Sequence, residues 1–200
     1  MCGAEVLDRH AAAWRVLDGV PDPEVPALSV RDLGIVREVR DDTANPGGLE
    51  VVLTPTYSGC PATEVISDSV REAVQAAGLG PVRVSLQRAP AWTTDWISDD
   101  GRRKLREYGI APPGPVREDG AVAIRLVPRG EWAAGATGAT GATGAAISPI
   151  APFGLKAAAV QCPRCDSSHT ERLSAFGSTA CKALYRCLAC REPFEHFKPI

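Results

Sequence analysis

The chain has 200 residues, of which 44% are apolar and 23% are charged, and its formal net charge is −2. This composition is typical of a globular protein with one medium or two small domains, and the charge excludes a strongly basic nucleic-acid binder. No run of 18 apolar residues could cross a membrane. The first ten residues, MCGAEVLDRH, lack the basic and apolar segments of a signal peptide, so we expect a cytoplasmic protein.

Residues 1–131 predict one α+β domain with a small mixed sheet and helices on one side of it. Apolar residues recur at i, i+3, i+4 and i+7 across 61–77, which predicts an amphipathic helix. Pro61 suits the first helical position, and Gly78 suits the position just after the end. In chain order we expect a helix at 8–18, strands at 34–40 and 49–56, the helix at 61–77, a strand at 82–86, a helix at 98–108 and a strand at 121–127.

A repeat of glycine, alanine and threonine between Gly135 and Gly144 divides the sequence. Small side chains cannot bury enough surface to offset the cost of ordering the chain, so a flexible linker is predicted over 132–157. The remaining residues, 158–200, are predicted to form a four-cysteine zinc ribbon. Because such a linker transmits little packing, we expect the ribbon to fold independently of the first domain.

Four of the seven cysteines form two Cys-x2-Cys pairs, Cys162 with Cys165 and Cys187 with Cys190. Each pair places two sulfurs on one side of a metal ion, and a hairpin between the pairs closes a tetrahedron. A filled four-thiolate site is closed to substrates, so we expect structural zinc, with a rubredoxin-like iron site as the alternative. Cys181 fits neither pair and is expected not to bind this metal.

Nucleic-acid binding by the ribbon is the weakest of the interpretations that its sequence allows. Residues 161–200 carry six basic and four acidic side chains. Four thiolates with a divalent ion contribute a charge of −2, which cancels that basic surplus. The sum argues against general binding to a phosphate backbone.

Cys60 lies between the second predicted strand and the helix at 61–77. Unpaired amides and the positive end of the helix dipole favour a thiolate there, which can ligate iron or attack an electrophile. The alternative is a small buried cysteine. Asp22 and Glu24 lie in a proline-rich loop, where they are candidate acceptors, helix caps or metal-handling carboxylates.

Several motifs together resemble known iron–sulfur assembly proteins. Asp22-Pro-Glu24, Asp32-Leu-Gly-Ile-Val36 and Thr54-Pro-Thr-Tyr-Ser-Gly-Cys60-Pro61 resemble the domain shared by SufT-like and eukaryotic cytosolic iron–sulfur targeting proteins. The wider set resembles the D-subunit (PaaD) family of the phenylacetyl-CoA epoxidase system, over nearly the whole chain apart from about 114–157. It adds Trp92-Thr-Thr-Asp-Trp-Ile97, Cys162-Pro-Arg-Cys165, Phe176-Gly-Ser-Thr-Ala-Cys-Lys-Ala-Leu-Tyr185 and Glu192-Pro-Phe194.

The resemblance implies a role in aerobic phenylacetate breakdown, in which a di-iron monooxygenase epoxidises the ring of phenylacetyl-CoA. It also implies a small α+β domain with a metal-binding ribbon, and cluster handling by the cysteine at position 60. This sequence differs from the family pattern at 114–157, and the difference concerns only the spacing between the two modules.

The motifs that an oxygenase or reductase subunit would need are absent from the sequence. No Glu-x-x-His pair exists for a di-iron site, and neither a dinucleotide glycine motif nor plant-ferredoxin cysteine spacing is present. We therefore expect no catalytic activity of the chain alone. We expect an accessory protein that matures or delivers iron or an iron–sulfur centre to oxygenase or reductase subunits, with Cys60, Asp22 and Glu24 as candidate residues. A rubredoxin-like electron carrier, a structural docking component and a nucleic-acid module are the alternatives, and a homodimer holding a cluster between two copies of Cys60 is compatible with the sequence.

Overall fold

The computed structural model describes residues 2–57, 59–116 and 159–200. The predicted strand at 121–127 and the predicted linker at 132–157 lie outside the described residues. The described residues form one compact unit. Within the described residues, no helix is long and apolar enough to cross a membrane.

A three-stranded mixed sheet organises the first part of the chain. It contains β1 (Val36–Asp41), β2 (Leu49–Leu53) and β3 (Val82–Leu86), in the order β1-β2-β3. β2 is antiparallel to β1 and parallel to β3. Every residue of the central strand β2 is buried, including Glu50, and its apolar residues at 51–53 are consecutive. The predicted α+β class with a small mixed sheet is confirmed.

Three helices accompany this sheet: α1 (Cys2–Leu17), α2 (Ala62–Ala76) and α3 (Asp99–Tyr108). α2 connects the parallel strands β2 and β3, and its buried side chains join the main apolar core. Except for the start of α1, the predicted elements before residue 111 are confirmed to within three residues at each end. α1 begins six residues earlier than predicted, because several strong helix formers precede the apolar pattern that defined the prediction.

The first strand begins at Val36 rather than at residue 34 because Gly34 belongs to the preceding turn. Gly34 has a φ of +67°, and its N–H donates to the carbonyl of Arg31. A Cβ at this position would lie 2.5 Å from the backbone oxygen of Trp96. The turn therefore requires glycine for both its conformation and its close packing.

Buried carboxylates pair with arginines across the sheet. Arg40 Nε donates to Glu50 Oε2 at 2.9 Å, and Arg83 Nη2 lies 2.7 Å from the same oxygen. The hydrogen bond from Arg40 is the main cause that lowers the pKa of Glu50 to about 2, and bonds from Arg83 and Asn45 lower that of Asp42 to about 2. These ion pairs link all three strands.

Acid is expected to weaken this sheet. A carboxyl whose pKa is lower in the folded state stabilises the fold fully above its unfolded pKa, and this contribution is lost as the pH falls from about 4.5 to about 2. Urea unfolding of Glu50→Gln should therefore show a deficit against the original protein at pH 7 that shrinks towards pH 2. Glu72→Gln, at an exposed position of α2, is the control and should show no such convergence. A deficit of equal size at both pH values would contradict the proposed ion-pair contribution.

The C-terminal residues form a second sheet that includes a strand from the first part of the chain. β4 (Ile110–Ala111) precedes the undescribed segment, and β5 (Thr170–Ser174), β6 (Lys182–Cys187) and β7 (Pro193–Phe197) follow it. The strand order is β4-β7-β6-β5, with β4 parallel to β7 and the other pairs antiparallel. The ribbon hairpin is thus extended by a strand that the sequence did not predict.

The ribbon also shares the main apolar core, which differs from the expectation that it folds independently. Phe197 and Cys181 are buried in the same cluster as the helices and the first sheet. The ring of Phe197 lies 6.2 Å from that of Trp92, and the backbone N–H of Thr94 donates to the carbonyl of Ile200 at 3.1 Å. The physical reason is that a ribbon of about 40 residues buries too little apolar surface by itself.

Candidate functional site

The four paired cysteines come together at one end of the ribbon. Cys162 and Cys165 lie in a turn before β5, Cys187 ends β6, and Cys190 lies in the turn before β7. Their sulfur atoms all lie within 4.8 Å of one another. Cys181 is outside this group, as predicted.

The geometry of this cluster suits a tetrahedral ion that prefers sulfur. Sγ of Cys162 lies 3.8 Å from that of Cys190, and Sγ of Cys165 lies 3.6 Å from that of Cys187. Four sulfurs at about 2.3 Å from a tetrahedral zinc ion are about 3.8 Å apart. The backbone N–H of Cys190 donates to Cys187 Sγ and lowers the pKa of that thiol, which favours the thiolate that a metal requires. The donor set therefore fits a metal ion, and both zinc and iron(II) satisfy it.

The candidate residues of the first part meet in one cavity. Asp22, Glu24 and Cys60 line it, and a second cysteine, Cys181, lines it from the ribbon. The free space inside it is small, about 30 Å³, and we refer to it as the Cys60 cavity. Its apolar walls include Val25, Leu33, Ile35, Leu53, Ile66 and Phe197.

A tight turn fixes Asp22 at the cavity wall. Its Oδ1 accepts hydrogen bonds from the backbone N–H groups of Glu24 at 2.9 Å and Val25 at 2.8 Å. Burial raises the pKa of Asp22, and these two N–H groups partly offset that effect. Burial, followed by the charge of Asp22, also raises the pKa of Glu24. The loop therefore holds two carboxyl groups close together in an environment that disfavours their ionised forms.

Cys60 lies at the start of α2, where the sequence placed it. Its carbonyl accepts hydrogen bonds from the backbone N–H of Thr63 at 3.2 Å and from Thr63 Oγ1 at 2.9 Å. Pro61 has helical backbone angles immediately before the helix, and Cys60 is half-buried. The local geometry therefore fixes the backbone of Cys60 while its side chain lines the cavity.

Cys181 is the residue of this cavity that sequence reasoning missed. It directly precedes β6, and Thr179 Oγ1 lies 3.0 Å from its sulfur. Burial is the main cause that raises its pKa. More than 100 residues separate Cys181 from Cys60, so no local pattern could have paired them. The one signal in the sequence was that Cys181 fits neither Cys-x2-Cys turn.

The ribbon cluster and the Cys60 cavity differ in the distances between their metal-binding side chains. In the part of the chain that the structure describes, only the ribbon cluster brings three or more metal-binding side chains within 4.8 Å of one another. The polar groups of the Cys60 cavity are more widely spaced. The ribbon is thus preformed as a closed four-ligand site, whereas the cavity offers a few separate ligands within apolar walls.

Comparison with known proteins assigns two segments of the chain to described domains. Residues 10–86 match the family described as iron–sulfur cluster assembly protein, and residues 151–198 match the PaaD zinc beta ribbon domain. The chain therefore contains an iron–sulfur assembly domain and a zinc ribbon of this type.

Similar proteins cover either the whole chain or its first half. A protein of Escherichia coli K12 whose name describes it as the D subunit of 1,2-phenylacetyl-CoA epoxidase is 46% identical over 94% of this chain and 91% of its own. An Fe-S protein maturation auxiliary factor of Porphyromonas gingivalis is 35% identical over 50% of this chain and 94% of its own. The crystal structure of a DUF59 domain from Bacillus anthracis covers 51% of this chain and 95% of its own, with 21% identity and a TM-score of 0.47. On its similarity to the E. coli protein along nearly the full length of both, the chain belongs to the PaaD family of 1,2-phenylacetyl-CoA epoxidase proteins.

Proposed function

We propose that this protein is an accessory component of a phenylacetyl-CoA epoxidase system and delivers iron or an iron–sulfur centre to partner oxygenase or reductase subunits. The observation that carries the proposal is the convergence of Cys60, Asp22 and Glu24 in one cavity. These three residues lie within the segment that matches iron–sulfur cluster assembly proteins. The name of the similar E. coli protein supports a place in the epoxidase system, and the name of the similar P. gingivalis protein supports a part in iron–sulfur maturation.

In this proposal Cys60 binds the cargo through its sulfur. The half-buried position leaves the thiol open to a cavity, while the hydrogen bonds from Thr63 hold its backbone in place. A single thiol with few neighbouring ligands suits transient binding, because the cargo retains positions at which a client protein can replace the carrier.

Asp22 and Glu24 have different parts in this proposal. Asp22 uses one carboxylate oxygen for two backbone N–H groups, so it positions the loop. Glu24 is half-buried and makes no such turn, so its carboxyl group is available as an oxygen ligand or as an acceptor of the proton that Cys60 releases. The apolar walls limit the access of water to bound cargo.

We further propose that the ribbon cysteines, Cys162, Cys165, Cys187 and Cys190, hold zinc. The sulfur separations fit the ion, and a four-thiolate zinc site supplies folding free energy without an open coordination position. On this proposal the ribbon is structural, and the cavity is the place where cargo binds.

Partner metallation tests the delivery function. Oxygenase and reductase subunits should be produced in cells with and without this protein, and their iron content and turnover of phenylacetyl-CoA measured. We expect iron-deficient, inactive partners in its absence, and partners matured beforehand should turn over without it. A requirement for the protein at every turnover of fully metallated partners would overturn delivery and favour a working subunit or electron carrier. Red iron–thiolate absorption from the ribbon of the purified protein would specifically favour electron transfer.

A further inference from the structure

The ribbon contributes a second sulfur to the Cys60 cavity, and its backbone is held firmly there. The carbonyl of Cys181 accepts a hydrogen bond from the backbone N–H of Lys198 at 2.9 Å. Lys182, the next residue, pairs with Phe197 in the antiparallel register of β6 and β7. Phe197 also lines the cavity and packs on Trp92. The start of β6 is therefore fixed against the first part of the chain, and the thiol of Cys181 forms part of the cavity wall.

A neighbouring tyrosine, Tyr57, lies close to the same groups. Burial raises the pKa of Tyr57, and the charges of Cys60, Glu24 and Cys181 add to that effect. One phenol therefore lies within electrostatic range of both thiols and of the Glu24 carboxyl group. The four side chains form one neighbourhood, although they come from three separate segments of the chain.

The chemistry of this neighbourhood differs from that of an ordinary core. The ribbon metal does not use Cys181, since its own four sulfurs already complete a tetrahedral set. Two cysteines line this one cavity, and thiolate sulfur is the ligand type that holds iron–sulfur clusters. A nearby carboxyl group adds a hard oxygen donor that iron(II) also accepts.

We propose that Cys60 and Cys181 together form a two-sulfur site that binds iron(II) or the exposed iron of an iron–sulfur cluster. The proposal rests on the delivery function and deepens it, because the ribbon then supplies a ligand to the cargo as well as a scaffold. When iron(II) binds, each thiol exchanges its S–H bond for an S–Fe bond. Two protons are released, to the Glu24 carboxylate or to solvent, and no electron is transferred.

Iron(II) binding to the zinc-loaded protein tests this site. Iron(II) binds thiolates more weakly than zinc does, so it should leave the ribbon zinc in place. Under anaerobic conditions, X-ray absorption at the iron edge should count two protein sulfurs per iron in the original protein. It should count one in Cys60→Ser and one in Cys181→Ser. Loss of an outer-shell partner alone weakens metal binding by about 10–100-fold, so each variant should bind iron(II) at least about tenfold more weakly.

Ala183→Ser is the matched control for Cys181→Ser. Ala183 is a buried residue of β6 that does not line the cavity, so the substitution adds a buried hydroxyl to the same strand without removing a thiol. This variant should keep two sulfurs per iron. A weakened iron affinity of equal size in the control would show that disturbance of the strand, rather than loss of a ligand, explains the effect, and the proposed site would be wrong.

The outcomes separate this inference from the delivery function. If Cys181→Ser keeps two sulfurs per iron and the original affinity, the two-sulfur site is wrong, whereas delivery by Cys60 alone stands. If Cys60→Ser also binds iron as the original protein does, delivery through Cys60 is wrong as well.

A cross-linking measurement on the original protein covers the case in which Cys181→Ser does not fold. Dibromobimane becomes fluorescent only when it alkylates two neighbouring thiols, so a fluorescent peptide pair containing Cys60 and Cys181 is expected from the zinc-loaded protein. Iron(II) bound beforehand should suppress this pair. Its absence from the iron-free protein would overturn the site.

Discussion

Cys60→Ser is expected to reduce the iron content and activity of the client subunits to the level found without this protein, while the variant itself remains folded. Serine is nearly isosteric with cysteine but is a poor ligand for iron, so the substitution removes the proposed binding atom and little else. Cys60 is only half-buried, so stability should change by less than about 1 kcal/mol. Urea unfolding of the variant and metal analysis of the purified client are the two measurements.

Ser67→Ala is the matched control for this variant. Ser67 lies on the same helix and donates to the carbonyl of Thr63 at 2.7 Å, but it does not line the Cys60 cavity. A small local change in α2 without loss of the thiol should leave client metallation intact. Normal growth on phenylacetate with Cys60→Ser would show instead that Cys60 is a small half-buried residue without a role in delivery.

Removal of the ribbon metal is expected to unfold the ribbon and to open the Cys60 cavity at the same time. Zinc binding supplies about 10–16 kcal/mol of apparent free energy in isolated zinc-finger peptides, far more than the small apolar cluster of the ribbon provides. Because β6 and β7 carry Cys181 and Phe197 into the main core, their loss removes one wall of the cavity. Cys165→Ser, which leaves three of the four sulfurs, should have the same effect in milder form.

Hydrogen exchange can show which backbone amides lose protection when the ribbon metal is removed. After chelation we expect reduced protection at 182–197, at the loop around Asp22 and at Thr94, whose backbone bonds to Ile200. The central strand β2 should remain protected, since its partners β1 and β3 do not involve the ribbon. Ser168→Ala, an exposed change in the turn near Cys165, should not alter the pattern. A ribbon that keeps its protection after complete metal loss would contradict a structural metal, and loss confined to the ribbon would contradict the coupling.

Most of the first part of the fold could be predicted because its signals are local. The apolar spacing of α2 and the consecutive apolar residues 51–53 of β2 are each contained in one element. The four-cysteine cluster was equally accessible, since two Cys-x2-Cys turns constrain their own sulfurs. Asp22, Glu24 and Cys60 could be singled out as residue types, but their meeting in one cavity depends on tertiary packing.

The position of the ribbon could not be predicted because its contacts connect distant segments. Nothing near Phe197 specifies Trp92 as its partner, and a strand of two residues such as β4 is too short to show a periodic pattern. The low-complexity segment also favoured independence, since flexible connections often join separate bodies. The shared core shows that a long connection in sequence does not require separation in space.

The pairing of β4 with β7 joins a strand that precedes the segment between residues 116 and 159 to a strand that follows it. Because β4 and the ribbon belong to one compact unit, this stretch closes a loop on a single folded body. The shared position of Cys60 and Cys181 at one cavity is therefore set by strand pairing and core packing rather than by the length of the connection between the two parts of the chain.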